Sequence, residues 1–153
     1  MIRQAGAIES RMKADSGTAL KAGDKRRVTA LRTVVAALKK ARIDAKADPS
    51  EADELAVLAR ERKQRLEATE IYEQNARADL AEQSRYEAQL LTAYLPAELP
   101  DEELAALVEA AVAATGAASL KEMGRVMAAL MPKVAGRADG KRVSEAVRAR
   151  LAG

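Results

Sequence analysis

The chain has 153 residues with 26 Lys/Arg against 23 Asp/Glu, a net charge of +3, and no Cys, His, Phe or Trp; this length permits one domain with a sizeable core or two small ones. The missing Cys and His rule out disulfides, thiolate nucleophiles, sulfur and imidazole metal ligands, and the commonest general base. Abundant Ala without Phe or Trp points to an all-α fold and away from a β-sandwich, and no apolar run approaches the ~20 residues needed to span a bilayer.

At the N-terminus, "MIRQAGAIESRMKAD" lacks the apolar core of a signal peptide, so a soluble, cytoplasmic protein is expected. Ile8, Met12, Ala19 and Leu20 predict a first helix, weakened inside by Ser16-Gly17 and ended at Gly23, with Asp24 capping the next. In the second helix Val28, Leu31, Val35 and Leu38 share one face, leaving Lys25, Arg26, Arg32, Lys39 and Arg42 largely off it. "KADPSE" breaks that helix. A long helix from Glu51 to Asn75, ~36 Å at 1.5 Å per residue, carries a thin stripe of Leu55, Leu58, Ala59 and Leu66. Glu61–Arg65 and Glu73–Arg77 stand at the favourable i,i+4 spacing. After "NARADL", a further helix bearing Leu80, Leu90, Leu91 and Tyr94 runs into "YLPAELPDEEL", where Pro96 and Pro100 disfavour helix at the residues before them. The domain boundary falls here, giving an N-terminal helical domain of residues 1–95 with long hairpin-like helices and a C-terminal three-helix domain of residues 97–153.

Beyond the boundary, Asp101, Glu102 and Glu103 suit a helix N-terminus, Leu104, Leu107, Val108, Ala111 and Val112 form its apolar face, and Gly116 suits a left-handed cap. Ser119 and Glu122 make a capping box for a helix with Leu120, Met123, Val126, Met127 and Leu130 on one face and Lys121 and Arg125 opposite. Pro132 ends that helix, and a last one from about Gly140 aligns Val143, Val147 and Leu151.

Between these two helices lies "MPKVAGRADGKRV". It is no P-loop: G-x3-G-K-R follows a helix and lacks the hydroxyl that would reach Mg²⁺. A connection from about Pro132 to Ala138 also exceeds the 3–4-residue turn of a helix-turn-helix, so no DNA partner is expected. What remains is a loop in which Gly136 and Gly140 supply unusual backbone angles and Asp139 caps the last helix. Lys133, Arg137, Lys141 and Arg142 make it either an ordinary connection or a phosphate-contacting surface. The wider charge pattern leaves the same choice. Residues 1–47 hold 12 Lys/Arg against 4 Asp/Glu, residues 48–120 hold 6 against 16, and residues 121–153 hold 8 against 3. Two basic ends around an acidic middle can pair internally, present a basic surface to a polyanion, or simply be solvated helix faces.

"EMGRVMAALMPKVAGRADGKRV", together with "KAGDKRRVTALRTVVAAL", "RADL" and "YLPAELPDEEL", closely resembles the YqeY family (GatB/YqeY domain proteins), whose C-terminal region is similar to the tail domain of the B subunit of the tRNA-dependent amidotransferase. The resemblance covers nearly the whole chain in segment order. It implies an all-helical, two-part protein whose C-terminal part is like a domain associated with holding tRNA. In the amidotransferase, ATP- and metal-dependent chemistry belongs to a separate, larger catalytic domain that no segment here is long enough to supply. Carried over by the motif are Lys133, Gly136, Arg137, Asp139, Gly140 and Lys141, with Lys121 and Arg125 on the adjoining helix. Ser16-Gly17 departs from the stronger helix formers usual at that point in the family.

The candidate RNA-binding residues are therefore Lys121, Arg125, Lys133, Arg137, Lys141 and Arg142, with Pro132, Gly136, Asp139 and Gly140 structural. No catalytic residue, metal site or cofactor is expected, since Ser10, Ser16, Ser50, Ser84, Ser119 and Ser144 stand alone, without a base. Three readings stay open: a binding module for folded RNA such as tRNA, using the basic C-terminal loop with the basic second helix as a further candidate surface; a protein-interaction adaptor using the long acidic helix; and a component of glutamine-dependent carbon–nitrogen ligase (amidotransferase) activity. The expected partners are tRNA and an amidotransferase or aminoacyl-tRNA synthetase. With Tyr72, Tyr86 and Tyr94 the only aromatics, base stacking has few platforms, which favours folded RNA over single strands.

Overall fold

The computed structural model describes residues 4–153, which form seven α-helices, one 3₁₀ turn and no strand. The chain divides into two compact units, Met1–Leu95 and Pro96–Gly153.

The first unit holds α1 (Ala7–Lys21), α2 (Lys25–Ala45), α3 (Glu51–Gln74) and α4 (Ala78–Thr92). α1 packs along α2 and α3 along α4, while α2 and α1 both touch α3. Local chemistry marks the ends. Gly23 at φ +76° turns the chain out of α1, and the Asp24 carboxylate accepts the Arg27 N–H at 3.1 Å to cap α2. Ser50 and Asp53 form a capping box at α3. The core is built from Met12, Leu31, Val34, Leu38, Leu58, Leu91 and Tyr94, among others.

Several expectations are corrected in this unit. α1 runs unbroken through Ser16-Gly17; Ser16 is buried and a Cβ at Gly17 would meet nothing within 4 Å, so the pair costs propensity, about 1 kcal/mol at Gly17, without disturbing packing. Val34 rather than Val35 is fully buried. On α3 the buried residues are Glu54, Val57, Leu58 and Thr69, while Leu66 is exposed because α4 covers a different face there. Glu61 and Arg65 do pair. Glu73 pairs instead with Arg85, and Arg77 with Asp79 at 3.3 Å, because the helix ends before Arg77 and Ala76 turns left-handed at φ 55°.

The largest departure is Arg42. It is only 8 % exposed, and its Nε and Nη2 donate to the Glu9 carboxylate at 2.8 and 3.3 Å. Lys13 Nζ lies 2.8 Å from the same carboxylate. Burial pushes the Glu9 carboxyl up, but the hydrogen bonds from Arg42 and Lys13 together outweigh it and hold the group below its ordinary range. Alongside, the buried Glu54 carboxylate accepts the Ile8 and Glu9 N–H groups at 3.2 and 2.8 Å, capping α1 from α3. Gly6 leaves room for it, since a Cβ there would stand 2.2 Å from Glu54 Oε1.

The second unit holds α5 (Asp101–Thr115), a 3₁₀ turn (Leu120–Glu122), α6 (Met123–Val134) and α7 (Gly140–Ala152). Leu104, Val108, Val126, Leu130, Val143 and Val147 lie at the centre of its apolar core. Gly116 is left-handed at φ 67° and its N–H bonds the Val112 carbonyl at 2.9 Å. The Ser119–Glu122 box closes on the 3₁₀ turn, which swings Leu120 out to 47 % exposure instead of onto the apolar face.

Candidate nucleic-acid interface

The connection between α6 and α7 differs from expectation in two ways. Pro132 does not end α6, which continues to Val134: in the last turn Pro sacrifices one hydrogen bond, and the extra residues seat Val134 fully in the core. The stop comes from Ala135 at φ 50° and Gly136 at φ 76°. Gly140 takes no left-handed angle; it is the first residue of α7, and Ala135 occupies the second unusual position. Asp139 caps α7 as its sequence position implies, accepting the Arg142 N–H at 2.7 Å. The connection is thus residues 135–139.

Two arginines tie this loop to the start of the same unit. Arg137 Nε donates to the Ala97 carbonyl at 2.9 Å, its Nη2 lies 3.6 Å from Glu103, and its own carbonyl accepts the Leu99 N–H at 2.8 Å. Arg142 Nη2 donates to Asp101 at 2.7 Å. The acidic first turn of α5 therefore faces the basic loop and takes up two of its four cations. At the other end of α6, Arg125 pairs with Glu122 at 3.3 Å and donates to the Thr115 carbonyl. Glu122 is held below the ordinary carboxylate range chiefly by the Ala118 N–H, and then by the Ser119 N–H.

Lys121, Lys133 and Lys141 are exposed, and no ion pair or side-chain hydrogen bond engages them among the described residues. The structure gathers Lys133, Arg137, Lys141 and Arg142 at one end of α6. Lys121 and Arg125 lie at the opposite end, with Arg125 about 12 Å along the axis from Lys133. The six cations thus form two groups, with three arginines fastened and three lysines projecting.

Four of the serines serve the structure. The Ser84 and Ser144 hydroxyls donate to the Leu80 and Lys141 carbonyls, and Ser50 and Ser119 cap helices. Among the described residues no three metal-ligating side chains converge. Arg26 covers the Tyr86 ring at 3.9 Å, and Arg11 covers Tyr94 at 4.7 Å. The Tyr94 hydroxyl is pushed up to about 12 by burial and by its hydrogen bond to Asp15. These two rings are therefore poor stacking platforms for a base.

Sequence reasoning missed the Glu9–Arg42 pair and the Glu54 cap. Their signal was present: Arg42 stands one turn after Leu38 on the buried face of α2, and Glu54 stands one turn before Leu58 on α3.

The fold defines the class as an all-α protein of two helical units, the second a three-helix unit whose loop end combines fastened arginines with projecting lysines. No single helix among the described residues is long and apolar enough to cross a membrane. The chain belongs to the YqeY family, for the family model described as Yqey-like protein matches residues 9–151. No curated protein matches the sequence.

Proposed function

We propose that the chain is a cytoplasmic accessory protein that holds folded RNA, tRNA in the first place, through the α6–α7 end of its C-terminal unit and performs no catalysis alone. The observation that carries this is the division of labour among the cations. Arg137 and Arg142 fasten the loop, while Lys133 and Lys141 on either side of it have no ion pair or side-chain hydrogen bond among the described residues and are available to phosphates. The resemblance of this unit to the amidotransferase tail supports tRNA as the ligand. An amidotransferase or aminoacyl-tRNA synthetase would then supply the chemistry, and the protein itself needs no cofactor or metal.

Fluorescence anisotropy with a tRNA transcript tests the reading. Lys133→Gln with Lys141→Gln is expected to weaken binding about tenfold, or ~1.4 kcal/mol, and to reduce the slope of log affinity against log salt by about 2. Unchanged affinity and slope would remove this reading. The adaptor would take its place, favoured by exposed Leu66 and Ile71 beside Glu67 and Glu70 on α3.

A further inference from the structure

The basic second helix, α2, named from the sequence as a candidate RNA surface, carries an exposed flank whose geometry is specific enough to assign a ligand class. From Lys25 to Ile43 this helix has seven Lys/Arg and not one carboxylate. Its inward face is given to Val28, Leu31, Val34, Leu38 and Arg42. About 100° around the helix from the centre of that face, on an exposed flank, Lys25, Arg32 and Lys39 recur every seven residues, a spacing that drifts only ~20° per step and sets the charges about 10.5 Å apart in one straight row.

The seven cations have different fates. Arg26 is held by Glu82 at 2.6 Å, Gln83 at 3.0 Å and the Tyr86 ring; Arg27 is half-buried; Lys40 pairs with Asp44 at 2.6 Å; Arg42 is buried on Glu9. Lys25, Arg32 and Lys39 are exposed, and no ion pair or side-chain hydrogen bond engages them among the described residues. The exposed surface between them is low. Thr29 and Thr33 turn their hydroxyls back onto the Lys25 and Thr29 carbonyls at 3.1 and 3.0 Å, and Ala36 adds only a methyl group. A rigid partner can therefore lie close along the row.

From this geometry we propose that the α2 face is a phosphate-backbone track for double-helical RNA, separate from the lysines of the C-terminal unit. A straight, acid-free row of about 21 Å complements the regular phosphate line of a duplex. A single strand would gain little, because Arg11 and Arg26 already cover Tyr94 and Tyr86. The track adds a second contact to the RNA-binding reading above but rests on a different unit, so each can fail without the other.

The test uses the full chain with a blunt RNA duplex of about 16 base pairs and an unstructured single strand of equal length, titrated at several salt concentrations. Lys25→Gln, Arg32→Gln and Lys39→Gln are each expected to lower the duplex salt slope by about 1 and the triple variant by about 3, with thermal melting unchanged. The Lys133→Gln, Lys141→Gln protein should keep the α2 share of the slope. Equal duplex binding by wild type and triple variant overturns the track. So does a triple variant that loses only binding to polyglutamate, which would make this face a site for an acidic protein.

Discussion

All the buried polar and charged side chains among the described residues, Glu9, Ser16, Arg42, Glu54, Thr69 and Ser84, lie in the N-terminal unit, whereas the C-terminal unit buries only apolar ones. The cause is supply. Each C-terminal helix brings apolar residues at three- and four-residue spacing, so hydrophobic burial sets how the helices meet in the core and the ion pairs stay at its surface. α1 contributes only Met12 and Ala19 as buried apolar residues, too few to define its seat. Directional bonds do so instead: Arg42 and Lys13 fix Glu9, and Glu54 fixes the two N–H groups at the start of the helix. Such a seam adds little net stability over apolar packing, yet removal of one member is heavily penalised because a buried charge is left behind.

The sharpest way to break this contrast is Arg42→Ala, which leaves Glu9 at 1 % exposure with Lys13 as its remaining charged partner. A loss of about 4 kcal/mol is expected, read in urea melts as early unfolding of the N-terminal unit while the C-terminal transition stays in place. A loss below about 1 kcal/mol would mean that the seam is as dispensable as a surface pair.

Acid should act on the same seam more gently. The Glu9 carboxyl titrates lower in the folded chain than in the unfolded one. Its contribution is therefore complete above the unfolded value of about 4.3, and drains away as pH falls through the lower folded value. Thermal scans below that pH should show the N-terminal unit weakening first, and Arg42→Gln should reduce this pH response. If both units fade together, buried charge is not what distinguishes them.

The smallest effect is expected at Gly17. It is helical and a Cβ would meet nothing there, so Gly17→Ala should stabilise the N-terminal unit by about 1 kcal/mol. No change in its melting temperature would show that α1 is limited by its polar seat alone.

Much of the fold was legible because its signals are local. Asp24, Asp139, Gly116 and the Ser119–Glu122 box all act within about one turn of their positions, and the apolar faces of α5, α6 and α7 are periodic in the sequence itself. The candidate cations were legible as residues, but not their roles. Lys133 and Lys141 differ from Arg137 and Arg142 in side chain and in what the fold brings near them, and only the first difference is written in the sequence. Arg137 bonds a carbonyl 40 residues away, and Arg142 a carboxylate 41 residues away. In the N-terminal unit, Arg42 and Glu9 are 33 residues apart, and Glu54 lies 45 residues from the N–H of Glu9. No periodicity announces such partners. The sequence determined where most elements begin, which side is apolar in the C-terminal helices and which cations exist, because propensity, capping and period are properties of adjacent residues; on α2 and α3 the buried side was set by the neighbouring helices. Which of those cations are spent and which project was decided only by the tertiary structure, because a charge is neutralised by whatever lies within a few ångströms in space, however distant it is along the chain.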